Sequence, residues 1–238
     1  MSENSTLFTM LVEDVCEAKA SKFLKQYPER TAIIYKEAES RSFGDDAVHE
    51  DYKPYHCGQT RFTLHQSMFL KLAADCGVEW YVERSPYNGF PSAVVKIGRF
   101  YFTDHYSIKP GEVTCLNPSL MRQQNAALNL TYSQHSLFDQ PFDDRKLRKA
   151  ESIYANFIHS CRGHGSDFAL YGMIRIAFPC AARPETVSDA QRMLQFVEDY
   201  KLTDVLAAVI KKESESVIRP LVKVATPKLK KVRSGDQE

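Results

Sequence analysis

Apolar residues near the start of the chain recur every three or four positions over residues 6–26. The residues on this apolar face are Leu7, Leu11, Val15 and Ala18. Such spacing is typical of an amphipathic helix, whereas a half-buried strand would alternate at every second residue. We expect the helix to end near Pro28, because proline lacks the backbone N–H that a helix interior requires. The pattern therefore predicts an N-terminal helix.

A polar segment follows at residues 37–60. It is poor in aliphatic side chains, and Gly44, Pro54 and Gly58 interrupt it. Glycine and proline are the strongest signals for the end of regular structure. We therefore expect a long polar loop near residues 37–60, of the kind that in compact domains is commonly disordered or functional.

The middle of the chain contains the pattern of a helix followed by three strands. Apolar residues recur at helical spacing from Leu64 to Cys76, and Gly77 follows where a left-handed helix end would form. Residues 78–106 then contain VEWYVER, SAVVKIG and RFYFTDHY, three runs rich in β-branched and aromatic residues and separated by turn residues. These runs predict an antiparallel meander.

The second half of the chain continues with both kinds of pattern. Residues 119–130 have the spacing of a shallowly packed helix, and residues 152–160 and 168–179 are two runs of strand-forming residues. Residues 187–200 and 204–212 return to helical spacing. We find no internal repeat.

Together these patterns predict one α+β domain over residues 1–218. It would contain an antiparallel sheet of about five strands, with N-terminal, central and C-terminal helices. Residues 219–238 contain two prolines and no acidic residue before Asp236, and they predict a basic, flexible C-terminal tail.

Composition and charge narrow the classes of function only slightly. The chain has 238 residues, of which 43% are hydrophobic, and its 31 basic and 30 acidic residues nearly cancel. A molecule without a strong overall field gives no reason to expect nucleic acid or membrane as a partner, so such a proposal must rest on local charge. The apolar runs are shorter than the roughly 20 residues that a bilayer-spanning helix needs. We expect no membrane partner.

The start of the chain and the cysteines indicate the compartment. Residues 1–15 lack a basic segment followed by a long apolar one, which argues against a secretory signal. The six cysteines are spread singly, with no CxxC pair and no dense disulfide framework. We therefore expect a cytoplasmic protein with reduced cysteines.

The densest group of reactive residue types is HSCRGHGSD, residues 159–167. His159, Cys161 and His164 are ligand types for transition metals. A structural zinc ion normally takes four ligands in two short-spaced pairs, and the second pair is missing unless residues 56–57 come close in the fold. We therefore predict no metal ion and no cofactor, and we interpret this segment as a hairpin connection whose glycines permit the turn.

Two other chemical interpretations of the same segment stay open. A histidine near Cys161 would favour its thiolate, and His164 could act as a general base. Arg162 could instead hold a phosphate or carboxylate, because a guanidinium presents paired donors in one plane. Neighbouring positions in sequence do not establish hydrogen-bond geometry, and catalytic partners usually converge from distant segments.

A distant segment of this kind lies at the end of the RFYFTDHY strand. Asp104 and His105 are polar residues at a strand end, where a rigid scaffold can hold functional side chains. One hypothesis is therefore a small, nuclease-like hydrolytic enzyme in which Asp104, His105, His159 and His164 converge at one end of the sheet. The acid-x-lysine pairing that metal-dependent nucleases use is absent.

The leading hypothesis concerns the basic C-terminal tail. Lysine and arginine side chains there could neutralise phosphates, although no aromatic residue accompanies them to stack on exposed bases. The residues are Arg219, Lys223, Lys228, Lys230, Lys231 and Arg233. We expect a cytoplasmic binding or regulatory protein that acts through its sheet surface and its basic tail and not through turnover. The tail would contact nucleic acid or an acidic protein partner. The sequence does not predict the oligomeric state.

Overall fold

The computed structural model describes residues 5–85, 89–106, 114–115, 120–132, 142–159, 161–162, 169–170, 174–181 and 194–224. Its helices are α1 (Thr6–Glu17), α2 (Ser21–Phe43), α3 (Lys53–Asp75), α4 (Leu120–Leu130), α5 (Asp144–Leu147) and α6 (Leu202–Val224). Its strands are β1 (Glu79–Arg84), β2 (Pro91–Ile97), β3 (Phe100–Tyr106), β4 (Thr114–Cys115), β5 (Ile153–His159), β6 (Cys161–Arg162), β7 (Ala169–Leu170), β8 (Arg175–Ala181) and β9 (Leu194–Lys201).

The main sheet confirms the predicted α+β class. Six long strands lie in the order β1-β2-β3-β5-β8-β9, and the two-residue strand β4 pairs with the outer edge of β9. All neighbouring strands are antiparallel except β3 and β5, which run parallel. The sheet is thus mostly antiparallel, with six long strands instead of about five. The parallel pair requires a crossover connection, and α4 and α5 lie in that connection.

The structure corrects the predicted first helix. Helix α1 ends at Glu17, a short turn that includes Lys19 at φ 54° follows, and α2 then runs through Pro28. A proline in a helix interior is unfavourable by about 3 kcal/mol relative to alanine. Burial outweighs this cost, because α2 places Phe23, Tyr27 and Tyr35 in the core on the same helix.

The prediction of a long polar loop near residues 37–60 was wrong. Helix α2 continues to Phe43 and α3 begins at Lys53, so residues 44–52 alone join the two helices, and they include a 3-10 turn. The two helices pack against each other and leave polar residues on their outer faces, which resemble a loop in composition. Pro54 lies in the first turn of α3, where a missing N–H costs little.

The prediction of a helix over residues 187–200 was also wrong for residues 194–200, which form a strand. Residues 194–201 form β9, which pairs with β8 from Arg175↔Lys201 to Ala181↔Leu194, with an irregularity at Phe178/Pro179. Pairing with a buried neighbour overrode the local helical pattern. Residues 182–193 lie outside the described part of the chain.

Two further predictions concern the end of the chain and the HSCRGHGSD segment. Helix α6 extends to Val224, so the tail predicted to be flexible from residue 219 is helical over its first six residues, 219–224.

Strands β5 and β8 are antiparallel neighbours, and the short strands β6 and β7 pair between them in sequence. Both predicted strands that flank the segment are therefore present, whereas residues 163–168 lie outside the described residues.

The core lies between one face of the sheet and helices α1, α2, α3 and α6. Side chains of alternate strand residues, including Phe102 and Phe157, pack there against Phe23 and Phe69 from the helices. Helix α4 covers the other face, where the Asn129 amide donates to the backbone oxygens of Tyr154 at 2.8 Å and Pro179 at 2.7 Å. Among the described residues we find no helix with the length and apolar character to cross a membrane.

Candidate functional site

Three titratable side chains meet inside the core at the carboxyl ends of the parallel strands. Asp104 lies near the end of β3, His159 is the last residue of β5, and His65 extends from the middle of α3. Strand alternation places Asp104 and His159 on the face that α2 and α3 cover. We call His65, Asp104 and His159 the His–Asp–His cluster.

The Asp104 carboxylate is the centre of this cluster. Its Oδ1 lies 2.6 Å from His159 Nε2, and its Oδ2 lies 2.8 Å from His65 Nδ1. The first contact has hydrogen-bond geometry, whereas the second has ion-pair distance without the alignment of an N–H···O bond. The two imidazole rings stack, with centroids 4.3 Å apart and planes inclined by 14°. One carboxylate thus contacts both histidines.

Hydroxyl groups on α2 surround the cluster. Tyr27 donates to Asp104 Oδ1 at 2.8 Å, Thr31 Oγ lies 3.2 Å from His65 Nε2, and the Tyr35 hydroxyl hydrogen-bonds His159 Nδ1. These three residues lie four positions apart on α2, so they share one face of the helix. Each outer ring nitrogen of the two histidines therefore has a hydroxyl partner.

Burial and the contacts among the three side chains together determine the electrostatics of the site. The exposed fractions are 1% for His65, 4% for Asp104 and 2% for His159. Burial disfavours the carboxylate, but the adjacent His159 and His65 outweigh it and hold the pKa of Asp104 well below its ordinary value. Burial lowers the pKa of His159 and outweighs the opposing charge of Asp104. The cluster is therefore arranged around a charged carboxylate and a His159 ring that resists protonation.

Tyr27 responds to the same environment. Burial and, next, the charge of Asp104 raise the pKa of the Tyr27 hydroxyl well above its ordinary value. Tyr27 therefore keeps its proton and serves as a donor to the carboxylate.

Arg61 and two tyrosine rings pack beside the cluster. The guanidinium of Arg61 lies 4.9 Å from the ring centroid of Tyr35 and 4.2 Å from that of Tyr106. Both distances are typical of cation–π contacts. Arg61 is half-buried, and the buried Tyr35 connects it to His159.

The structure brings together two of the four predicted catalytic residues. Asp104 and His159 are in contact, as the enzyme hypothesis requires. His105 is on the opposite face of β3, because neighbouring strand residues point to opposite faces. His105 therefore does not join the cluster, and the predicted convergence was wrong for this residue. His164 lies outside the described residues.

The predicted binding residues are placed only in part. The backbone of Arg162 belongs to β6 and that of Lys223 to α6. The remaining four lie outside the described part of the chain; they are Lys228, Lys230, Lys231 and Arg233.

The sequence pattern did not single out four residues of the site, which are His65, Tyr27, Thr31 and Tyr35. A signal for His65 existed, because it is a polar residue between Leu64 and Met68 in a helix with an apolar face. For Tyr27, Thr31 and Tyr35 the only signal was their four-residue spacing. This spacing has a meaning only if the helix continues through Pro28, as α2 does.

Two surface cavities lie elsewhere on the described part of the chain. One of about 210 Å³ lies between the sheet and α4 and is lined by Tyr81, Tyr101, Asn125 and Tyr154, among others. The other, of about 590 Å³, lies along α3 and is lined by residues that include Tyr55, Phe62 and Phe90. Neither cavity is lined by a residue of the His–Asp–His cluster.

The donor atoms of the cluster are close enough to share one ion. One ligand atom from each of the three residues lies within 4.8 Å of the others. No protein-family model, curated protein or solved structure matches this chain.

Proposed function

We propose that the protein is a binding or regulatory protein that contacts an anionic partner, and that it does not act by turnover. The observation that carries this proposal is the burial of the Asp104–His159 pair. These are the two predicted catalytic residues that meet, and they are at most 4% exposed.

The hydrogen bonds of the pair support the same conclusion. A general base must reach the proton that it removes from a substrate. Both ring nitrogens of His159 already have protein partners, Asp104 on one side and Tyr35 on the other. The contacts around this pair are therefore those of a satisfied interior network.

Local charge supports an anionic partner. The sequence from Arg219 to Arg233 carries six basic residues and no acidic one. Helix α6 holds the first two of these residues, and the other four follow its end at Val224. Such a run neutralises phosphates and releases their counterions, so its contribution falls steeply with salt. Nucleic acid is therefore the first partner to test.

The test compares the full chain with a chain that ends at Val224, which keeps the whole of α6. A third variant replaces the four basic residues beyond the helix by glutamine; these are Lys228, Lys230, Lys231 and Arg233. A matched control replaces four exposed lysines elsewhere; these are Lys36, Lys71, Lys149 and Lys201. Fluorescence anisotropy with labelled DNA and RNA at several salt concentrations gives the affinities.

We expect the full chain and the control to bind, with affinity that falls as salt rises. Loss of four phosphate contacts lowers the slope of log K against log salt on duplex DNA by about 3 to 4. Equal binding by all four proteins, or no binding by the full chain, would contradict a nucleic-acid partner. Binding to polyglutamate in place of nucleic acid would point to an acidic protein partner.

A hydrolytic enzyme is the second candidate. The observation in its favour is that Asp104 and His159 meet at the carboxyl ends of a parallel strand pair. Ligand sites in sheets with parallel strands commonly lie beyond such ends. The burial of Asp104 and His159 argues against a hydrolytic enzyme, because a substrate would not reach them.

The two candidates differ in the effect of Asp104→Asn on hydrolysis. If the enzyme hypothesis holds, the full chain hydrolyses labelled DNA, RNA or a phosphodiester, and Asp104→Asn abolishes the activity. His105→Gln is the control, because this residue is adjacent in sequence and lies on the opposite face. No hydrolysis by the full chain supports the binding proposal.

A further inference from the structure

We propose that His65, Asp104 and His159 form a binding site for a divalent first-row transition-metal ion such as Zn²⁺. This inference is independent of the proposed function, because it concerns the interior of the molecule and not the basic segment.

The donor set has the right chemistry for such an ion. Imidazole nitrogen suits zinc, copper, iron and nickel, and a carboxylate oxygen commonly completes the set. His65 Nδ1 and His159 Nε2 both face the carboxylate of Asp104, and the ligand atoms lie within 4.8 Å of one another. These positions allow one ion to contact two nitrogens and an oxygen.

The outer nitrogens are held as metal-bound histidines usually are. A histidine ligand almost always uses its other ring nitrogen in a hydrogen bond that fixes the tautomer and the ring orientation. Here Thr31 contacts His65 Nε2 and Tyr35 contacts His159 Nδ1. Without metal, His159 Nε2 donates its proton to the Asp104 carboxylate. A metal ion would take that place at Nε2, and the ring proton would then lie on Nδ1 and face the Tyr35 hydroxyl oxygen.

His65 Nδ1 supplies a second, independent observation. This atom is buried and makes no aligned hydrogen bond, although Asp104 Oδ2 is only 2.8 Å away. When Nε2–H donates to Thr31, the lone pair of Nδ1 lies beside an anionic oxygen, which is unfavourable in a dry interior. A cation shared by the two atoms replaces that repulsion with two attractive contacts.

A bound ion would connect separate parts of the fold. His65 belongs to α3, Asp104 to β3 and His159 to β5. Coordination would therefore fix α3 to the parallel strand pair, and binding to the folded chain alone would stabilise it. Mg²⁺ does not fit this set, because it prefers an octahedron of oxygen ligands.

The experiment uses the full chain after removal of metal by a chelator. Zn²⁺ binding is measured by calorimetry, and the coordination of Co²⁺, used as a probe, by its visible absorption. We expect one tightly bound ion per chain, a higher melting temperature with Zn²⁺, and no effect of Mg²⁺. His65→Gln, Asp104→Asn and His159→Gln should each lose the Co²⁺ spectrum.

Control variants test whether the ion is at this site. His105→Gln and His56→Gln remove histidines outside the cluster and should bind as the unmodified chain does. No stoichiometric binding of Zn²⁺ or Co²⁺ to the unmodified chain would overturn the proposal. Binding that survives loss of His65 but not of His56 would assign the ion to another site and would overturn it too.

A second pair of variants covers the case in which the cluster variants do not fold. Thr31→Val and Tyr35→Phe keep all three ligands and remove only the hydroxyl partners of the outer nitrogens. We expect each to weaken Zn²⁺ binding by about 10- to 100-fold and to alter the Co²⁺ spectrum. Unchanged affinity and spectrum in both would contradict the proposed ligand set.

Discussion

His159 Nε2 lies 2.6 Å from Asp104 Oδ1, although the register of the parallel strands places Asp104 opposite Phe157 and His159 opposite Tyr106. The two residues are therefore diagonal neighbours on one face of the sheet. This relationship depends on the crossover between β3 and β5, and no short-range pattern in the sequence specifies it.

The Tyr27 hydroxyl should contribute to stability through the carboxylate of Asp104. A hydrogen bond to a charged group is worth about 1.5–3 kcal/mol. Tyr27→Phe removes the donor and keeps the ring, so we expect the free energy of unfolding to fall by about this amount in urea titrations. Tyr52→Phe, at a ring that is 67% exposed, is the control and should change stability by less than about 0.5 kcal/mol. Equal effects of the two substitutions would contradict the assigned contact.

The metal-free protein should lose stability as the pH falls below about 6.5. Burial lowers the pKa of His159 from its ordinary value of 6.5, so the unfolded chain binds the proton first. The stability contributed by the neutral ring is complete above pH 6.5 and decreases as the pH falls toward the folded-state pKa, by about 1.4 kcal/mol per pH unit. Urea titrations in chelator between pH 8 and pH 5 test this. A free energy of unfolding that stays constant below pH 6.5 would show that His159 is charged in the fold.

Pro28→Ala should stabilise the protein. Pro28 lies inside α2, where it lacks the N–H that would bond the preceding turn, and alanine is favoured there by up to about 3 kcal/mol. Pro54→Ala is the matched control, since Pro54 occupies the first turn of α3 and its replacement should have little effect. Thermal melts of the two variants provide the comparison. A lower melting temperature for Pro28→Ala would indicate that the proline fits a bend that α2 needs.

The turn between β2 and β3 should reject any side chain at Gly98. Its φ is +58°, and an added Cβ would lie 2.5 Å from the Asp14 carboxylate oxygen Oδ2. That carboxylate accepts hydrogen bonds from the Arg99 backbone at 2.8 Å and from Arg99 Nε at 2.9 Å, so Gly98→Ala would also disturb this ion pair.

Gly77→Ala separates the two costs at Gly98. Gly77 has φ +69° but open space around it, so only the left-handed backbone is penalised, by about 1–2 kcal/mol. We expect Gly98→Ala to cost more than Gly77→Ala in urea titrations. If the free energy of unfolding falls equally in the two variants, the Asp14 side chain can move away from the added methyl group at residue 98 without a measurable loss of stability.

The parts of the fold that could be predicted are those in which local pattern and burial agree. The meander β1–β3 is rich in β-branched and aromatic residues, and Gly98 and Gly77 mark a turn and a helix end that require positive φ. The pattern of β9 is different: its residues have helical spacing, and pairing with β8 determines their conformation.

The candidate site was predictable only for its two strand residues. Asp104 and His159 are polar residues at the ends of strongly patterned strands, but their contact depends on the parallel pairing of β3 and β5, which the sequence did not predict. The positions of His65 and of the Thr31 and Tyr35 hydroxyls depend on how α2 and α3 pack. The sequence did not predict this packing, because the polar residues near the connection between the two helices resemble a loop.

The parallel pairing of β3 and β5 has a consequence for how the chain selects its register. A shift of β5 by two residues would keep Phe157 and Ala155 on the apolar face, so hydrophobic burial alone discriminates weakly against it. The same shift would move His159 about 6.6 Å along β3 and leave the buried carboxylate of Asp104 without this partner. Removing one partner from a buried charge is destabilising, so the loss of the His159 contact disfavours the shifted register. The His–Asp–His cluster therefore helps to fix the register of β5 against β3.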